Sequence, residues 1–279
     1  MVYCIVQKHT AGCPQENRKA HRAGDMIGKP ETVREGRLPV IGREPCQSRA
    51  DRRGEDMPDE KKCQVVCLGD SITEGFGLKW EESYPYLLQC ALGDAYEVFN
   101  AGVTAHCVTD ELLPDGRVMG LPYVRTERYA QGIAKKGDIY VLLLGTNDAQ
   151  DGMLDDGSAV DPWGNIFSKR EHFIAHYERI LRDIRGANPG AKIYAGRPTP
   201  VLECIWPKHQ QKYLDVILEK IDEIGRRNAD VVVFDLYGTF REKGDTWLHE
   251  NYQADRLHPG PEGARLIAQT VYGLIMKDA

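Results

Sequence analysis

From about residue 63 onward, short apolar runs alternate with longer stretches in which apolar residues recur every three or four positions. The runs Gln64–Leu68, Glu97–Asn100, Ile139–Leu144, Lys192–Ala195 and Val231–Asp235 have the length of strands. Between and after them, Ser83–Leu92, Arg170–Arg185, Lys208–Arg227 and Pro261–Lys277 carry the helical period. The stretch HFIAHYERILRDIRGANPGAKIY shows the punctuation. Its helical spacing runs through Ile184, Asn188-Pro189-Gly190 stops it, and a new apolar run follows. The strand runs are continuous instead of alternating, as expected when helices cover both faces of a sheet. Alternating strands and helices in a chain of 279 residues predict one large α/β domain with a parallel, doubly wound sheet and no internal repeat.

The first 56 residues differ. They are rich in Arg, Gly, Pro and Glu and keep no period of 2 or 3.6, a composition that cannot bury enough apolar surface to offset chain entropy. The expectation is a loose extension over 1–56 and a folded domain over 57–279, with Met57 a candidate translation start. The extension holds eleven Lys and Arg against eight Asp and Glu, a net of +3 that leaves −9 for the rest of a chain of formal charge −6. That balance argues against a nucleic-acid partner held by phosphate neutralisation. A mean hydropathy of −0.47, no apolar run near 18 residues, and an N-terminus without a basic, apolar leader pattern point to a soluble, cytoplasmic protein without a membrane span. The eight cysteines, Cys4, Cys13, Cys46, Cys63, Cys67, Cys90, Cys107 and Cys204, form no CxxC pair and no zinc spacing. They read as reduced thiols, mostly buried, and no metal or other cofactor is expected.

In a doubly wound sheet, ligands sit beyond the carboxyl ends of the strands. Four segments with reactive or polar groups lie there. Ser71 follows the first strand in VVCLGDSITEGFG, and Gly102 follows the second in FNAGVTAHCVTD. Asn147 follows the third in VLLLGTNDAQ, while Asp255 and His258 in ADRLHPGPEG come after the fifth. Singly, each has a plain structural reading: a helix cap for Ser71, turn chemistry for Asn147-Asp148, a capped helix start for Asp-x-x-His before Pro. Together they supply acyl transfer. A serine hydroxyl needs a base, for which His258 is the candidate, and the imidazole needs an orienting carboxylate, for which Asp255 is close enough in sequence. The oxyanion needs donors: the N–H groups of Ser71 and Gly102 and the Asn147 amide. The missing Cβ of Gly102 is expected to leave room for the approaching carbonyl.

GDSITEG, the glycine of NAGVT, GTND and DRLHP, in this order over about residues 64–275, resemble the four blocks of the SGNH (GDSL-type) hydrolases. The resemblance implies a flavodoxin-like, three-layer αβα sandwich, commonly of five parallel strands in the order 2-1-3-4-5. It implies Ser71 as nucleophile, His258 with Asp255 as base pair, Gly102 and Asn147 as oxyanion donors, and no metal. Two positions depart from the common pattern. The second block continues Val103-Thr104-Ala105-His106, which places a second imidazole near the site, and Gly260 follows His258-Pro259 where many members have Asn. The GxSxG elbow of another hydrolase class is absent.

For the substrate, a small-molecule ester, polar and aromatic residues near the expected rim favour a small-acyl carbohydrate esterase. Asp70, His106, Asp148, Arg197, Trp163, Trp206 and Trp247 are the candidate contacts, with Tyr252 close by. Arg197 would hold an anionic group or simply pair with a carboxylate, and the tryptophans would stack on sugar or pack loops. Lysophospholipid or thioester hydrolysis, O-acyl transfer to a sugar, and a non-catalytic glycan-binding module are the alternatives. A homo-oligomer is left open.

Overall fold

A computed structural model describes residues 61–110, 121–149, 170–202 and 211–278. The extension over 1–56, Met57, Trp163, Cys204 and Trp206 lie outside the described residues. Five strands, β1 (Cys63–Gly69), β2 (Tyr96–Gly102), β3 (Ile139–Leu143), β4 (Lys192–Arg197) and β5 (Val231–Asp235), form one sheet in the order β2-β1-β3-β4-β5. Every pairing is parallel. The expected fold class and strand order are those observed.

Alternate residues of each strand feed opposite faces. Val66 and Leu68 of β1, with Tyr140 and Leu142 of β3, pack under α3 (Glu127–Ala134), α4 (Arg170–Ala187) and α5 (Gln211–Arg227). Val65, Cys67, Val141 and Leu143 face α2 (Tyr84–Leu92), α6 (Leu236–Arg241), α7 (Asp245–Asn251) and α8 (Pro261–Lys277). All five residues of β3 are buried, as a strand covered on both faces requires. The edge strands β2 and β5 are only partly buried, and Val232 is exposed. Cys63, Cys67, Cys90 and Cys107 are thiols, and burial pushes that of Cys67 up to about 12, which makes it inert near neutral pH. No helix among the described residues is long and apolar enough to cross a membrane.

The strand order fixes where the site must be. After β1 the chain passes α2 to reach β2 at one edge; after β2 it passes α3 on the other face and returns beyond β1 to β3. The strand order therefore reverses between β1 and β3, the point above whose carboxyl ends ligands bind in doubly wound sheets.

Candidate active site

Ser71 opens α1 (Ser71–Glu74), a single helical turn that begins directly where β1 ends. Gly69 is required there by crowding: a Cβ on it would fall 1.9 Å from Thr73 Oγ1 and 2.8 Å from the Leu143 carbonyl oxygen. Asp70 caps the turn by accepting the Ile72 N–H at 3.0 Å. Gly75, at φ 91°, ends it in the left-handed conformation and donates its N–H to the Ser71 carbonyl. As the first residue of the turn, Ser71 has an N–H that the helix itself does not accept. One turn has little summed dipole, so what it offers an anion is the aim of this amide.

His258 reaches Ser71 from the far end of the sequence. Its Nε2 lies 2.9 Å from Ser71 Oγ, and its Nδ1 lies 2.6 Å from Asp255 Oδ2. A carboxylate only accepts, so Nδ1 carries the hydrogen and Nε2 accepts from the serine. The loop holds this tautomer by local bonds. Asp255 Oδ1 accepts the N–H groups of Leu257 and His258, both at 3.0 Å, while Arg256 turns the chain at φ 61°. Burial works to raise the Asp255 pKa, but its bonds from His258 and the Leu257 amide outweigh it and hold the carboxyl below its usual range.

Asn147 sits in a 3-10 turn, Thr146–Asp148, at the end of β3. Gly145, at φ 116°, swings the chain into it. The Asn147 amide donates to the His106 carbonyl at 3.0 Å, which sets the plane of its NH2 group. Gly102 is explained differently from the expectation. A Cβ there would sit 2.1 Å from the Glu74 amide nitrogen, so the crossing of β2 over the backbone of α1 by itself requires glycine. Its N–H donates to Asn100 Oδ1 at 2.9 Å.

The expected substrate contacts divide. His106 stays half-buried beside Asn147, its Nδ1 donating to the Thr104 carbonyl at 2.7 Å, after a turn in which Ala105 adopts φ 65°. Four others are held by the fold. Asp70 is buried as the α1 cap. Asp148 is buried and accepts the N–H groups of Val108 and Thr109 and the Thr109 hydroxyl, so it clamps that loop to β3. Burial raises its pKa, while these bonds and the Lys220 ammonium pull it back. Arg197 is engaged by Asp235 at 3.0 Å and Asp222 at 3.5 Å. Trp247 packs edge-on against Phe240 on the α8 side of the sheet. Tyr252 is buried, with its hydroxyl donating to the Pro200 carbonyl. The motif blocks did not point to Phe76, whose ring lies 4.7 Å from the His258 ring, or to Gln253, which ties the two together. The glycines on either side of Phe76 were a usable signal; Gln253 carried none.

Asp70 also carries a testable charge. Oδ2 has no hydrogen-bond partner. Burial, with the Asp148 carboxylate adding to it, pushes the Asp70 pKa up to about 7 against the pull of the Ile72 amide. The folded chain thus keeps a proton on Asp70 up to about pH 7, whereas the unfolded chain releases it at the ordinary, lower value. Between those limits the folded state binds more protons, so stability falls as pH rises through that window. Asp70→Asn keeps the capping oxygen and removes the charge. It should stabilise the protein by about 4 kcal/mol at pH 8 and by only about 1 kcal/mol at pH 4.5, in urea unfolding.

Comparison with known proteins finds relatives over most of the chain. A family model described as GDSL-like Lipase/Acylhydrolase matches residues 67–266. An acetylxylan esterase of Xylanibacter ruminicola is 27% identical over 224 residues, covering 78% of this chain and 44% of that protein. The chain thus spans under half of that relative's length. Among solved structures, a lipase/acylhydrolase from Enterococcus faecalis superposes with a TM-score of 0.57 at 21% identity, over 77% of this chain and 96% of that one. Est24, a carbohydrate acetylesterase from Sinorhizobium meliloti, gives 0.56 at 15% identity, over 78% and 100%. These two likenesses speak for the fold. With the family model spanning all four motif blocks, the chain belongs to the GDSL-like lipase/acylhydrolase family.

Proposed function

We propose that this protein is a serine ester hydrolase that works through an acyl-enzyme and prefers small acyl groups, acetyl above all, on carbohydrate or similar alcohols. The observation that carries the reading is the unbroken chain from Ser71 Oγ to His258 Nε2 at 2.9 Å and from Nδ1 to Asp255 at 2.6 Å, above the reversal point of the sheet. In the first half-reaction Ser71 Oγ attacks the ester carbon as its proton passes to Nε2. The tetrahedral oxyanion is met by the Ser71 N–H and the Asn147 amide. The Gly102 N–H joins them only after exchanging its bond to Asn100. Collapse breaks the ester C–O bond, and the imidazolium gives its proton to the departing alcohol. Water then repeats the sequence on the acyl-serine and releases the acid. Asp255, ionised throughout, stabilises the imidazolium formed in each half.

The acetyl preference draws on the acetylxylan esterase relative and on the absence of a long apolar tract in the sequence that would line a fatty-acyl tunnel. Hydrolysis of p-nitrophenyl acetate should exceed that of the octanoate by about tenfold or more in kcat/KM, since an unaccommodated chain gains no binding in the transition state. The reverse order overturns the small-acyl reading in favour of lysophospholipid or thioester substrates. Neither turnover nor labelling by a fluorophosphonate overturns hydrolysis altogether and leaves a binding module. Product release only in the presence of an acceptor sugar marks a transferase.

A further inference from the structure

Among the described residues, Phe76 is the large apolar one that combines exposure with contact to the candidate base. Its ring centroid lies 4.7 Å from that of His258, tilted by 38°, yet 44% of the residue is exposed. The backbone holds it there. The Ser71 carbonyl accepts the N–H groups of both Gly75 and Phe76, at 3.0 and 2.9 Å, which folds the chain back over the start of α1. Gly75 at φ 91° and Gly77 at φ 73° flank it, both in a conformation that side chains with a Cβ resist. Gln253 then locks the turn to the histidine loop. Its side-chain amide donates to the carbonyls of Phe76 at 2.7 Å and Pro259 at 3.2 Å, and its backbone N–H donates to the His258 carbonyl at 2.8 Å. Phe76 and His258 are therefore tied together through one side chain.

An exposed benzene ring costs free energy in water. Holding it rigidly is useful to a ligand, because the ordering cost is already met before binding. The reaction says which part of the ligand arrives there. The departing oxygen must come within hydrogen-bond reach of Nε2 to receive its proton, so the alcohol moiety lies beside the imidazole and against Phe76. The acyl group and its oxyanion point instead towards Ser71 N–H and Asn147. A flat apolar face with no polar atom suits the C–H face of a sugar ring, whose hydroxyls spread outward to water.

Resting on the esterase reading above, we propose that Phe76 is the platform for the alcohol half of the substrate, an acylated pyranose stacked on its exposed face. The readout is the ratio of kcat/KM for methyl tri-O-acetyl-β-D-xylopyranoside to that for ethyl acetate, whose leaving group is too small to stack. Phe76→Ala and Phe76→Leu should lower this ratio by about tenfold through KM for the xyloside, and Phe76→Trp should preserve or raise it. The leucine variant keeps apolar bulk and loses only the flat face, so it answers the question should the alanine variant fold poorly. A ratio unchanged within twofold in the leucine variant overturns the platform, including when both rates fall together, because Phe76 then acts only on the imidazole. Wild type that is labelled by a fluorophosphonate and turns over ethyl acetate keeps the esterase reading intact in that event. Wild type with neither labelling nor turnover removes the esterase reading, and the platform with it.

Discussion

Ser71→Ala and His258→Ala each lower kcat by about 10³-fold or more, and the double variant is scarcely worse than either alone. The reason is visible in the shared bond. Ser71 Oγ and His258 Nε2 meet at 2.9 Å, so the hydroxyl without the ring keeps its proton and the ring without the hydroxyl has no proton to take. Two groups that act through one bond cannot contribute independently. The measurement is single-turnover and steady-state hydrolysis of p-nitrophenyl acetate, with fluorophosphonate labelling lost in both single variants. Multiplicative losses in the double variant would separate the two residues into different steps and overturn the shared role. Folding should not confuse the result for Ser71→Ala: the backbone that defines α1 is held by the Asp70 cap and by Gly75, not by the Ser71 side chain.

Asn147→Ala lowers kcat by about 10²-fold with little change in KM, the scale of one oxyanion donor, or about 2.7 kcal/mol. The structure adds a complication that a second variant resolves. The Asn147 amide also donates to the His106 carbonyl, so its removal loosens the turn around Ala105 as well. Asn147→Asp preserves the side-chain size but replaces the donor with an acceptor of negative charge, and should be at least as damaging. If Asn147→Asp retains near wild-type kcat, donation to the oxyanion is excluded and Asn147 only props the loop. A KM effect without a kcat effect excludes that donation equally, because ground-state and transition-state contacts would then be equal.

The sheet was legible because its signal is local. Val65 to Leu68 and Ile139 to Leu143 are continuous apolar runs, and burial on both faces leaves no alternative pattern for them to show. Helices with several turns were legible as well, with the start of α2 moved by one residue and the end of α4 by two. The short helices were missed. α6 has six residues and α7 seven, fewer than two full periods, and α3 carries Gly132 within its eight residues because a Cβ there would crowd Leu68 and Ala101. Around the site, residue types were legible, and the partners of Asp148 and Arg197 were not. Asp148 looked like a rim carboxylate, but its partners are forty and thirty-nine residues away, at Val108 and Thr109. Arg197 was left between an anionic ligand and a carboxylate partner, and the fold supplied Asp222 and Asp235. Gly102 was read for its chemistry, whereas the crossing of β2 over α1 explains its missing side chain. Long-range pairing is the step at which one-dimensional pattern stops informing.

Asp255 and His258 stand three positions apart, joined by bonds that begin and end within the same few residues. Such a pair is a portable cassette. Lengthening or exchanging the segments between the strands leaves the ring and its carboxylate in register with each other, so the surroundings of the pair can vary while its own geometry stays intact.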